Sequence, residues 1–87
     1  MTELQNICVM IRIEYDNYKI SRNAKHYIDE LSKLTDIITE EDRHLAFRFL
    51  CEATYWETAV GLATKERLLN LIKKQMKMPI YPKYKIK

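Results

Sequence analysis

Eighty-seven residues, 47% hydrophobic and 31% charged, suffice for one small domain and are too few for two. One glycine and two prolines exclude collagen, flexible linker and most disordered sequence, which lack the apolar area to offset chain entropy. The net charge of +3 conceals a split: residues 1–64 carry seven Lys/Arg against eleven Asp/Glu, whereas residues 65–87 carry eight against one. Such a basic end attracts phosphates, acidic proteins or anionic surfaces, and it equally serves as a solvated tail.

Two periods compete in the first 20 residues. Leu4, Ile7, Ile11, Tyr15 and Tyr18 form a helical stripe, while Ile7, Val9, Ile11, Ile13 and Tyr15 alternate as in a half-buried strand. Beta-branched content favours the strand. A strand needs a partner, however, and the single candidate is the proline-bearing C-terminal end, so a short N-terminal helix is expected. Next, Ser21 caps a helix carrying Ala24, Tyr27, Ile28, Leu31, Leu34 and Ile38. Thr39, with Asp42 three residues on and Glu40 and Glu41 in the first turn, starts another. The short link between these two implies an antiparallel hairpin at the centre of the fold.

Gly61 and Thr64 offer a stop and a new cap, but a glycine inside a helix costs only about 1 kcal/mol. A continuous or lightly kinked helix from about Thr39 to Lys77 is therefore expected. Its stripe of Leu45, Ala46, Phe49, Ala53, Trp56, Val60 and Ala63 is widened by Phe47, Leu50, Cys51, Tyr55, Ala59 and Leu62, more than one neighbour covers. Self-association follows as an expectation. Pro79 and Pro82 end regular structure, giving a single helical domain over 1–78 and an extended basic tail over 79–87. The fold class is thus all-α, a small oligomeric helical hairpin with a short N-terminal helix and that tail.

No run of 18 apolar residues occurs, and Ile7 to Ile11 is too short, and lacks the upstream basic flank, for a signal segment. A cytoplasmic location is expected. Cys8 and Cys51 have neither CxxC spacing nor a histidine partner, so they read as reduced core thiols rather than metal ligands. No glycine-rich phosphate loop, nucleophile elbow or HExxH occurs, and His26 and His44 lie on separate helices. No enzyme, cofactor or metal is expected.

Binding chemistry is better represented. Tyr15, Tyr18, Lys19, Arg22 and Lys25 cluster around the start of the second helix, where tyrosine faces stack bases and cations hold phosphates. The helix start after Ser21 would add N–H donors for an anion. The same tyrosines also fit the edge of a core, and the cations a solvated face. A second basic cluster, Lys73, Lys74, Lys77, Lys83, Lys85 and Lys87 with Tyr81 and Tyr84, is a general electrostatic footprint.

The run Leu50-Cys51-Glu52-Ala53-Thr54-Tyr55-Trp56-Glu57-Thr58-Ala59-Val60, with an acidic and arginine-bearing helix start at Asp42-Arg43, resembles the second hairpin helix of the phage anti-CBASS proteins. Those are small cyclic-nucleotide sponges. The resemblance implies a non-enzymatic helical oligomer in the host cytoplasm that sequesters cyclic di- or trinucleotide immune signals at subunit boundaries. It assigns no nucleotide contact by position, so the ligand candidates remain the chemical ones: Tyr15 and Tyr18 for bases, Lys19, Arg22 and Lys25 for phosphates. The alternative is a small helical inhibitor or adaptor that binds an acidic protein or nucleic acid through Lys73, Lys74, Lys77, Lys83 and Lys85.

Overall fold

The Thr2 hydroxyl accepts from the Gln5 backbone N–H at 3.1 Å while the Gln5 side chain accepts from the Thr2 N–H at 2.9 Å, a reciprocal cap that starts helix α1 (Glu3–Asp16). In this computed structural model a 3-10 turn (Arg22–Ala24) follows, then α2 (Lys25–Leu31), α3 (Glu40–Glu52) and α4 (Ala59–Ile86). The structure describes the backbone of residues 1–86 and the side chains of residues 1–74; α4 continues past Pro79 and Pro82 to Ile86, so the extended tail expected over 79–87 is not supported. Among the described residues there is no strand. The N-terminal helix is not the short one: α1 has 14 residues and α2 only 7. Its buried stripe is Leu4, Ile7, Cys8, Ile11 and Tyr15, the helical one of the two competing patterns, but Tyr18 falls beyond its end.

The second helix is shorter than its apolar spacing implies. Ser32 donates its hydroxyl to the Ile28 carbonyl at 2.8 Å, and the Asp36 carboxylate accepts from the Ile37 N–H at 2.7 Å. Such local side-chain bonds give the backbone an alternative to the helix. Ile37 is consequently buried, whereas Ile38, expected on the core stripe, is exposed. The predicted capping box at Thr39 is present, with Thr39 Oγ1 accepting from the Asp42 N–H at 3.0 Å and Asp42 Oδ2 accepting from the Thr39 N–H at 3.1 Å.

The expected continuous helix from Thr39 to Lys77 is broken over 53–58, ahead of Gly61. Thr54 donates to the Cys51 carbonyl at 2.7 Å, and Lys65 Nζ covers the Ala53 carbonyl at 3.0 Å, so the end of α3 has its own partners. Thr58 then caps α4 by accepting from the Gly61 N–H at 2.9 Å. With that break the architecture is no single hairpin. α2 packs on α3, α1 packs on α4, and contacts of α1 with α2 and of α3 with α4 close the ring.

Phe49, Trp56, Leu31, Ile28, Leu68 and the α1 stripe fill the centre. Trp56, 1% exposed, packs within the chain, edge-on to Phe49 with ring centroids 6.3 Å apart. Its Nε1–H donates to Glu14 Oε1 at 3.1 Å, and the same oxygen accepts from the Thr58 hydroxyl at 2.9 Å. One α1 carboxylate thereby holds the α3–α4 corner. Both cysteines are free, but only Cys8 is a core thiol; Cys51 is exposed on α3, off the face that buries Ala46 and Phe49. No helix among the described residues is long and apolar enough to cross a membrane.

Candidate ligand cleft

Helix α1 ends in a Schellman arrangement: the Lys19 N–H donates to the Glu14 carbonyl at 2.9 Å and the Tyr18 N–H to the Tyr15 carbonyl at 3.0 Å. This ending needs a left-handed residue at the position glycine usually takes, and here it is Tyr18, with φ of 62°. Its side chain projects into solvent, 80% exposed. Ser21 Oγ accepts from the Asn23 N–H at 3.1 Å and shapes the turn that carries Arg22. The Arg22 guanidinium lies 3.7 Å from the centroid of the Tyr15 ring and 4.5 Å from that of Tyr18, and it donates to the Tyr15 carbonyl. Stacking and hydrogen bonding together fix the cation's position.

Opposite this arm, the end of α3 and the corner after it bring Glu52, Ala53, Tyr55 and Trp56. With Tyr18, Lys19, Ile20, Ser21 and Arg22 they line a cleft of about 350 Å³. Tyr55 is 90% exposed, so the cleft has an open tyrosine on each side and cations on one wall. Two larger concavities are mainly apolar grooves: one of about 600 Å³ along Phe47, Leu50, Leu62 and Leu69, the other of about 540 Å³ along Val9, Ile13 and Leu34. We place the site at the smaller cleft because there two exposed tyrosine rings meet a positioned arginine and a lysine, whereas the groove that holds Lys65 and Lys73 offers Phe47 as its one aromatic face.

Of the five candidates from sequence, Tyr18, Lys19 and Arg22 line the cleft. Tyr15 is 7% exposed with its ring under Arg22, so it positions the cation rather than offering a free face. Lys25 is turned away into an ion pair with Asp29 at 2.8 Å, and Arg12 holds the same carboxylate at 3.1 Å. The hydrogen bonds from Lys25 and then Arg12 hold the Asp29 carboxyl below its ordinary value, and Asp29 in turn raises Lys25. The seven-residue α2, preceded by a 3-10 turn, does not form the anion-binding helix start expected after Ser21. Tyr55 and Glu52 were missed as site residues because they read as part of one long helix.

The remaining titratable groups assemble no catalytic cluster among the described residues. His26 packs edge-on against Tyr27, and His44 sits 3.7 Å from Glu40. No group of three or more His, Cys, Asp or Glu among the described residues could hold a metal ion. No protein family, curated protein or solved structure matches this chain.

Proposed function

We propose that the chain is a non-enzymatic binding protein that sequesters a cyclic oligonucleotide, one nucleotide unit of which sits in the Tyr18–Tyr55 cleft. The observation that carries this is the convergence of two open tyrosine rings with Lys19 and a pre-positioned Arg22. Base–aromatic stacking contributes about 1–3 kcal/mol per base, and fixed cations hold phosphate oxygens. The run that resembles the anti-CBASS sponges supplies the wall with Glu52, Tyr55 and Trp56, in keeping with this role. At about 350 Å³ the cleft lies near the low end of ligand pockets, roughly 300–1,000 Å³. The rest of a cyclic di- or trinucleotide extends beyond it, and a second copy of the chain is the proposed cover.

Thermal unfolding against cyclic di- and trinucleotides, with linear dinucleotides as controls, tests the proposal. Ligand at a hundredfold excess over Kd stabilises the folded state by about 2.7 kcal/mol. For a domain of this size the midpoint rises by roughly 10 °C or more. The proposal expects a rise confined to the cyclic compounds and recovery of the ligand intact. No rise with any of them, or recovery of cleaved ligand, overturns it.

One observation favours a second role, as an adaptor for an acidic protein: Lys73 and Lys74 are exposed on α4, and Lys73 lines the apolar groove with Phe47 and Leu62. The side chains of Lys77, Lys83 and Lys85 lie outside the described ones. Deleting residues 79–87 abolishes an adaptor activity and spares nucleotide capture.

A further inference from the structure

Taking the cleft as the cyclic-oligonucleotide site proposed above, we infer that Glu52 reads the base and selects guanine. Glu52 is the last residue of α3, where the helix dipole disfavours a negative charge. The last turn of α3 holds no basic residue, and the Glu52 side chain makes no hydrogen bond or ion pair with any described residue. Three carboxylates closer to the core serve the fold: Glu14 holds Trp56 and Thr58, Asp29 holds Arg12 and Lys25, and Asp42 closes a cap; Glu52 is exposed and serves none of these roles. Glu52 is thus exposed, unpaired within the fold and on the lining of the cleft, where its carboxylate is free to meet a bound base.

The cleft is bipolar. Lys19 and Arg22 lie on the side of Tyr18, and Glu52 on the side of Tyr55. A nucleotide whose phosphate sits on the cations and whose base stacks on Tyr55 presents the edge of that base to Glu52. An ionised carboxylate only accepts hydrogen bonds. Guanine is the one standard base with two adjacent donors on its pairing edge, N1–H and the N2 amino group, which match the two carboxylate oxygens. Adenine offers one amino donor beside a bare ring nitrogen whose lone pair faces the second oxygen. Charge-assisted, bidentate pairing of this kind discriminates between bases by about tenfold or more.

Isothermal titration of the full chain with cyclic di-GMP, cyclic di-AMP and cyclic di-IMP tests the inference. Cyclic di-IMP retains N1–H and lacks the N2 amino group. The expected order is cyclic di-GMP, then cyclic di-IMP, then cyclic di-AMP, with the first and last separated by about tenfold or more. Glu52→Gln collapses that ratio to within about threefold, since the amide puts a donor NH2 where the carboxylate has its second acceptor oxygen. Glu52→Ala does the same, and the unfolding midpoints of both variants without ligand equal or exceed that of the parent. Equal binding of guanine and adenine ligands by the parent overturns the inference and leaves the proposed function standing. So does a preference that survives in Glu52→Gln, or a loss of affinity uniform across bases. Failure of every cyclic compound to bind overturns the proposed function and the base selection with it.

Discussion

Replacing Gly61 with alanine removes a glycine from a helix, which at an open position gains about 1 kcal/mol. Here it is expected to destabilise the protein. A Cβ at Gly61 stands 2.8 Å from Cδ1, Cε2 and Nε1 of Trp56, closer than any van der Waals contact allows. The indole has little room to retreat, being 1% exposed, packed edge-on to Phe49 and bonded through Nε1–H to Glu14. Forcing a methyl into such a site costs about 1–3 kcal/mol. If the ring moves off Glu14, a hydrogen bond to a charged group worth about 1.5–3 kcal/mol weakens as well. Set against the helix gain, the net loss is about 2 kcal/mol, which lowers the midpoint of a domain this size by roughly 8–16 °C. Urea and thermal melts of Gly61→Ala, alone and in a Trp56→Phe background, measure it. The smaller ring removes most of the clash, so the two substitutions couple by about 1–2 kcal/mol. A Gly61→Ala protein as stable as the parent, or an equal cost in both backgrounds, refutes the close packing of Gly61 beneath Trp56.

Tyr18→Gly should be more stable than Tyr18→Ala by about 1 kcal/mol, because the left-handed conformation costs an L residue roughly 1–2 kcal/mol and glycine almost nothing. Both variants lose nucleotide affinity, and paired urea melts with ligand titrations separate the two effects. Acid should weaken the fold in a defined window: Arg67 holds the Glu3 carboxyl low through its hydrogen bond, and Lys25 and Arg12 hold Asp29 low. The unfolded chain takes up those protons first, so this stabilisation is complete at neutral pH and is lost as pH falls below about 4. Urea midpoints are therefore expected to be level between pH 7 and 5 and lower at pH 3; a level profile throughout contradicts it. A thiol reagent should modify Cys51 quickly and Cys8 slowly, since burial raises the Cys8 thiol above its ordinary value while Cys51 is exposed. Equal rates at the two cysteines contradict the placement of α1.

The parts of the fold legible in the sequence were those governed by local chemistry. Thr39 and Asp42 form the capping box their spacing implies, and the α1 stripe of Leu4, Ile7, Ile11 and Tyr15 is buried as a helix face. The break after Glu52 escaped because nothing near it resembles a stop: no glycine or proline lies between Asp42 and Val60. Its causes are side-chain bonds from Thr54 and Thr58 and a long-range cover from Lys65, which spacing alone does not reveal. Missing that break hid the corner that carries Tyr55, and with it one wall of the cleft. Tyr15 and Lys25 were drawn into the site by composition, yet their partners Arg22 and Asp29 engage them within the chain. Gly61 was read as a tolerated helix glycine, whereas its role is steric and depends on an indole that the corner brings over it.

Trp56 is the chain's one tryptophan and lines the cleft, so its single Nε1–H resonance, from a group bonded to Glu14, is unambiguous to assign and lies beside the site. Titration of the labelled protein with cyclic di-GMP, followed by that single indole signal, tests the account most directly. Capture in the cleft predicts a saturable shift that ends at a fixed stoichiometry and is abolished in Tyr18→Gly, the variant that keeps the fold. An indole signal unmoved by cyclic di-GMP and by the other cyclic di- and trinucleotides, or moved equally in Tyr18→Gly, contradicts it.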